Sequence, residues 1–431
     1  MKIKHLAAIG LASLLFASTL TACSSDNTAD QSGSASGSNS GESVELNFWI
    51  VAQEGAAKEN WQQMIKDFEA ANPGITVAME MRSNDAHKDA MRQTAGTNVG
   101  PDAFYYWAGP GQAGELVKAG VSKDLTDYYS SLGWDERFID AAMESVTQYG
   151  GYNGVPYVIS TQPIYYNKAL FEKAGIKEFP KTYDELVTAA EKLKTAGITP
   201  ITFGGSVNWH VQRLLDALIE TKCGADIADQ LTSKETDWAA QSCVTEAFTE
   251  LKKWGDNYLP EGFMSLADFE ARNFFFSGEA AMAIEGQNMN SWILDHEMSA
   301  DDIGVALFPT GTDRMYTYIQ ALYMGSQTKH PDETAKFLDF IMSDETQQKY
   351  GSAWAGISVN KNVEPDYDAN AIFEQWPALF ENSEGTYINN DQNLSVNETT
   401  EFWRLQNSVI LGDIAPSDAG AQMQKFFDNE S

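Results

Sequence analysis

Val44-Glu45-Leu46-Asn47-Phe48-Trp49-Ile50-Val51 alternates in polarity, placing Val44, Leu46, Phe48 and Ile50 on one face. Spacing of period two predicts a strand with one buried side. Further on, Trp61, Met64, Ile65 and Phe68 fall at i, i+3, i+4 and i+7, the apolar stripe of an amphipathic helix. Asn72-Pro73-Gly74 stops that helix, and Ile75, Val77, Met79 and Met81 alternate again. Strand, helix, strand in succession is a βαβ unit. It predicts a parallel sheet with helices packed against it, and so an α/β fold.

The same reading extends outward. Pro101-Asp102 leads into a short strand over 103–107, and 155–166 reads as extended. Thr182-Tyr183-Asp184-Glu185 predicts a capping box opening a helix through Leu186, Ala190 and Leu193. Gly197 ends it, and Ile201-Thr202-Phe203 returns as a strand before Gly204-Gly205. Residues 225–258 read as mostly helical, 280–284 and 303–308 as strands. His330-Pro331-Asp332-Glu333 opens a helix with proline in its first turn. Ser395-Val396-Asn397-Glu398 opens the C-terminal helical stretch. No internal repeat is visible, so this length of mixed α/β sequence predicts two lobes.

Composition narrows the function. The chain has 431 residues, 43% of them hydrophobic, which is enough for real cores. Its 61 acidic and 29 basic residues give a formal charge of −32. Affinity for a phosphate backbone depends on Lys and Arg, so a nucleic-acid role is excluded. Eleven Trp among 12% aromatic residues is an excess that needs a cause.

The N-terminus sets the compartment. Lys2, Lys4 and His5 precede an apolar run over 6–20, shorter than the roughly 20 residues that span a bilayer. The run ends in Leu20-Thr21-Ala22-Cys23, which resembles the lipobox of bacterial lipoproteins. Residues 1–22 are therefore expected to be a signal peptide, and 23–43 the acylated Cys23 with a flexible Ser/Gly/Asp/Asn tether. The expected location is the extracytoplasmic face of the bacterial cell membrane, with the lipid as the only membrane attachment. Disulfides persist there, so Cys223 and Cys243 are expected to be bridged.

Catalytic signatures are scarce. The mature chain's histidines, His87, His210, His296 and His330, show no i,i+4 pair and no zinc-type cluster, so no metal and no cofactor are expected. Gly109-Pro110-Gly111-Gln112-Ala113-Gly114 matches G-x-G-x-x-G but follows the third strand and contains proline; it reads as a turn beneath a helix start. The many carboxylates leave an acid/base pair for glycoside hydrolysis open. More telling is where aromatics fall. Trp49 ends the first strand, Tyr105-Tyr106-Trp107 the third, and Asn208-Trp209-His210 follows Gly204-Gly205 after another. Ligands of open α/β sheets gather beyond the C-terminal ends of strands. Flat rings meeting there suit the C–H faces of a sugar.

Several stretches, in order, resemble the solute-binding proteins of bacterial ABC importers, the extracellular family 1 group that includes maltose-binding protein. They are Leu46-Asn47-Phe48-Trp49, Phe68-Glu69-Ala70-Ala71-Asn72-Pro73-Gly74-Ile75, Gly100-Pro101-Asp102, Gly154-Val155-Pro156-Tyr157 and Tyr165-Tyr166-Asn167-Lys168. Phe276-Ser277-Gly278-Glu279-Ala280-Ala281-Met282, Ala335-Lys336-Phe337-Leu338-Asp339-Phe340 and Ser343-Asp344-Glu345 complete the series. The resemblance implies a two-lobed periplasmic-binding-protein fold, each lobe a mixed sheet flanked by helices, joined by three crossings with a ligand cleft between. The N-terminal lobe is expected over 44–157 plus 309–357, and the C-terminal lobe over 158–308 plus 358–431.

Position by position, the resemblance puts Trp49, Gln53, Glu54, Tyr106, Trp107, Ser160, Thr161, Gln162, Trp209, Gln287, Asn288 and Trp403 at the cleft. Trp354 joins them on aromatic grounds. Asn288 stands where maltose-binding protein has a Trp, so a maltodextrin preference does not carry over. The implied function is capture of a carbohydrate by a monomer, without chemistry, for delivery to the permease subunits of an ABC transporter. The alternatives are an exported carbohydrate-active hydrolase and a binding protein for a non-sugar solute.

Overall fold

The period-two segments form the strands of two sheets. In the computed structural model, which describes residues 43–351 and 358–430, they are β1 (Val44–Val51), β2 (Ile75–Arg82), β3 (Ala103–Trp107), β4 (Val155–Thr161), β5 (Ile164–Asn167), β6 (Thr199–Thr202), β7 (Ala280–Ile284), β8 (Ile303–Ala306), β9 (Met315–Met324) and β10 (Thr386–Ile388). The expectations for 1–42, Cys23 included, and for Trp354 lie outside the described residues. No helix among the described residues is long and apolar enough to cross a membrane.

The first sheet runs β10-β9-β3-β1-β2, with β4 also on β9. The opening βαβ unit is as read: β1 pairs parallel with β2 from Val44↔Ile75 to Val51↔Arg82, and with β3 through Phe48↔Ala103. The helix Gly55–Ala71 between them buries Trp61, Met64, Ile65 and Phe68. Phe48 and Phe68 each meet Phe337 edge-on, at 5.3 and 5.0 Å between centroids, within this sheet's core. The second sheet runs β6-β7-β5-β8, with β6 and β7 parallel. Its two faces carry separate cores, one built around Leu214, Leu218 and Phe248 and the other around Tyr165, Phe275 and Trp376. Five tryptophans are almost wholly buried (Trp61, Trp134, Trp238, Trp254 and Trp376), which accounts for much of the aromatic excess.

The chain passes between the two sheets where β4 ends and β5 begins, and again between β8 and β9. Late segments also return to the first sheet. β10 pairs parallel with β9, and Val359 belongs to the first sheet's core.

Local signals set the helix ends. Ser395 accepts from the Glu398 amide while Glu398 accepts from the Ser395 amide, the expected capping box. Thr182 accepts from Glu185 N, but the Glu185 carboxylate takes the amide of Lys181 rather than that of Thr182, so that box is half formed. The Cys223–Cys243 bridge is present, with Cα atoms 5.0 Å apart. It ties the helical run Asn208–Thr232, broken at Gly224 (φ 71°), to the helix Ser242–Asn257. Glycine in 109–114 is steric in origin. A Cβ on Gly111 would lie 1.6 Å from the Leu394 carbonyl oxygen, and one on Gly109 would lie 2.3 Å from that of Gln392.

Candidate functional site

Parallel strands end together, so the loops after β1, β2 and β3 and those after β6 and β7 open onto one cavity of about 350 Å³. Its volume lies in the range of small-molecule sites. Gln53 and Glu54 enter after β1, Asn84 and Asp85 after β2, and Trp107 at the end of β3. Trp209 and Arg213 come from the helix after β6, and Gln287 and Asn288 from the turn after β7.

Four indoles line this cavity, Trp61, Trp107, Trp209 and Trp292, and the last three each have a cation against the ring. Lys88 Nζ stands 4.8 Å from the Trp107 centroid, the Arg213 guanidinium 4.9 Å from Trp209, and that of Arg272 4.4 Å from Trp292. A cation over an indole face is attracted by its quadrupole. Each of these three rings is thus pinned from one side. Tyr105 meets Trp107 edge-on at 5.5 Å, and Tyr157 flanks Trp61 at 5.8 Å.

The charges behind the rings converge on Glu285, which is 1% exposed. It accepts from Arg213 Nη1, from His210 Nε2 at 3.0 Å and from Arg272 Nη1 at 3.5 Å. Burial pushes its carboxyl upward, and Arg213, His210 and Arg272 together overcome this and hold it well below the usual carboxylate range. His210 is held neutral mainly by its own burial. Its tautomer follows from its partners: Gly204 N–H donates to Nδ1 at 2.8 Å, leaving Nε2–H to donate to Glu285. On the opposite wall Lys88 lies 3.6 Å from Asp391. Burial raises Asp85, with Asp89 and Asp268 adding to the shift against Lys88.

Uncharged polar groups fill the floor. Gln287 donates to Ser160 Oγ at 3.0 Å and accepts from Thr161 N at 2.9 Å, and Ser160 Oγ donates to Gln320 at 3.1 Å. Gln162 donates to Asn389 at 2.9 Å, while its buried Oε1 has no partner among the described residues. The buried Trp209 Nε1–H likewise has none.

Of the positions expected at the cleft, Gln53, Glu54, Trp107, Ser160, Gln162, Trp209, Gln287 and Asn288 line this cavity. Trp49, Tyr106, Thr161 and Trp403 do not. Strand alternation explains the first two. Tyr106 points into the core beside His87, at 5.9 Å, so Tyr105 and Trp107 take the cavity side. Trp49 lies opposite Ile50, its ring under Arg82 at 4.0 Å. Thr161 is 2% exposed and contributes a backbone amide to Gln287. Trp403 sits behind the wall, donating to Gln212.

Tyr105, one of the strand-end aromatics, lines the cavity, and so do Trp292, Tyr157, Phe269, Tyr318 and the charged set Lys88, Arg213, Arg272 and Glu285, which the sequence does not single out. One signal was available: Trp209 and Arg213 stand at i,i+4 on a helix, where side chains meet. Among the described residues no group of three or more His, Cys, Asp or Glu could hold a metal ion.

The sequence profile of the bacterial extracellular solute-binding proteins matches residues 52–348. The diacetylchitobiose-binding protein DasA of Streptomyces coelicolor is 30% identical, over 99% of this chain and 98% of its own. The multiple sugar-binding protein of Streptococcus mutans is 25% identical, over 70% of this chain and 73% of its own. Among solved structures, a chitin oligosaccharide binding protein superposes with a TM-score of 0.82 at 24% identity, over 90% of this chain and 99% of that one. Its likeness shows the fold, two lobes each with its own sheet.

Proposed function

Because the chain belongs to the bacterial extracellular solute-binding protein family, whose members are binding components of ABC importers acting outside the cytoplasm, we propose that it captures an oligosaccharide and delivers it unaltered to a membrane permease. The observation that carries this is the set of three cation-backed indoles on one cavity rimmed by amides and carboxylates. Indole faces cover the C–H patches of pyranose rings, and Asn84, Gln162, Asn288 and Asp85 meet the hydroxyls. The sugar-binding relatives in Streptomyces and Streptococcus support the same ligand class. The ligand sites proposed are those lining residues, with Trp49, Tyr106, Thr161 and Trp403 set behind them.

Capture proceeds by hinge closure. Two lobes, one carrying the sheet β10-β9-β3-β1-β2 with β4 and the other the sheet β6-β7-β5-β8, approach each other around the sugar. Contact between the helix after β1 and the helix after β7 supports this: a Cβ on Gly55 would lie 1.8 Å from Asp295 Oδ2. A monomer suffices, held to the outer face of the membrane by the lipid on Cys23. Two or three stacked rings with several hydrogen bonds reach micromolar affinity, about −8 kcal/mol.

Calorimetry of the mature chain against chito-, xylo-, malto- and raffinose-series sugars tests the reading. Binding of at least one series is expected, with the sugar recovered intact. Silence across the panel, or hydrolysis of a bound sugar, overturns it.

A further inference from the structure

Both guanidinium groups behind Trp209 and Trp292 converge on one carboxylate, that of Glu285. Arg213 lies one helical turn beyond Trp209, donates to Glu285 and is steadied by a second bond from Nη1 to Ile284 O at 2.9 Å. Arg272 comes from a different helix, Asp268–Phe276, and Trp292 from a third, Met289–Asp295. Asp268 also pairs with Arg272, through Nη2 at 2.9 Å. The result is a continuous array of indole, guanidinium, carboxylate, guanidinium and indole along one wall. The Glu285 side chain is 2% exposed. Nearly all of its surface is therefore taken by protein rather than offered to a ligand.

We propose that Glu285 is a positioning residue that locks Trp209 and Trp292 at a fixed separation, so that the wall reads two sugar rings of one chain at once. This rests on the carbohydrate reading above and adds a constraint to it. A monosaccharide covers one indole and gains nothing from their spacing; an oligosaccharide covers both. Guanidinium suits this task because it is planar, stacks on a ring and still donates sideways, which ammonium cannot do.

Two measurements on the mature chain test it. Indole N–H resonances of Trp-labelled protein, assigned with W209F and W292F, report ring position without any sugar. Glu285→Gln is expected to shift both resonances and leave that of Trp134 in place; R272K is expected to shift that of Trp292 alone. If Glu285→Gln moves only one of the two, or neither, the positioning role is overturned.

The second measurement is affinity for chito-, xylo- and malto-oligosaccharides and their monosaccharides. Glu285→Gln is expected to weaken oligosaccharide binding at least tenfold and monosaccharide binding less than threefold. In a double-mutant cycle the W292A loss is expected to shrink in the Glu285→Gln background. Equal losses for both sugar lengths, or additive losses, overturn the proposal. A wild-type protein silent across the panel instead overturns the carbohydrate reading, while the resonances still decide the positioning. Should Glu285→Gln fail to fold, Glu285→Asp, which keeps the charge on a shorter arm, carries both tests with the same expected signs.

Discussion

Asp216 lets burial be weighed against hydrogen bonding in numbers. It is 2% exposed and accepts from Tyr316 OH at 2.7 Å, Gln212 Nε2 at 3.0 Å, Asn390 Nδ2 at 2.7 Å and Asn390 N at 3.2 Å. Desolvation outweighs these donors and raises its carboxyl from 3.8 to about 6. An acid with a raised folded pKa binds its proton more tightly when folded. Its contribution is therefore full below about 3.8 and is lost as pH rises through about 6. Two pH units at about 1.4 kcal/mol each make that loss about 3 kcal/mol.

Asp216→Asn removes the titration and keeps an oxygen for Tyr316, Gln212 and the Asn390 amide. The Asn390 side chain must turn to face the new NH2, which adds an offset independent of pH. Urea unfolding of both proteins between pH 3.5 and 7.5 is the assay. The difference in stability between wild type and Asp216→Asn is expected to change by about 3 kcal/mol across that window, in favour of the variant at high pH. Other carboxylates cancel in the difference. A flat difference would refute the claim that burial dominates here.

Trp209→Ala is expected to weaken sugar binding at least tenfold, about 1.4 kcal/mol, with thermal stability nearly unchanged; calorimetry beside a melting curve checks both. Gly111→Ala puts a methyl group 1.6 Å from a backbone carbonyl oxygen that no rotamer change can move, so a loss of about 3 kcal/mol or no soluble protein is expected on expression and urea unfolding. Replacing Cys223 and Cys243 with Ser should cost about 3 kcal/mol for a loop of 20 residues, and the unreduced wild-type chain, once unfolded, should show neither thiol to a titrating reagent.

The sequence by itself determined the elements and the family. Period-two and helical spacing over 44–81 settle the βαβ unit because burial on one face of an element is written directly into residue order. Strand ends are equally legible, which is why Trp107 and Trp209 were found at the cavity, while Gln287 followed from the family resemblance. Which of two adjacent aromatics faces a ligand was not, since Tyr105 and Tyr106 differ only in the register that pairing with Leu322 and Ala321 of β9 imposes. Nor could spacing bring Arg213, Arg272, Glu285 and Trp292 together: they come from three helices and a strand end, far apart along the chain. Only the folded chain decides that, because a charge buried behind a ring is stable solely where a partner from another segment arrives to neutralise it.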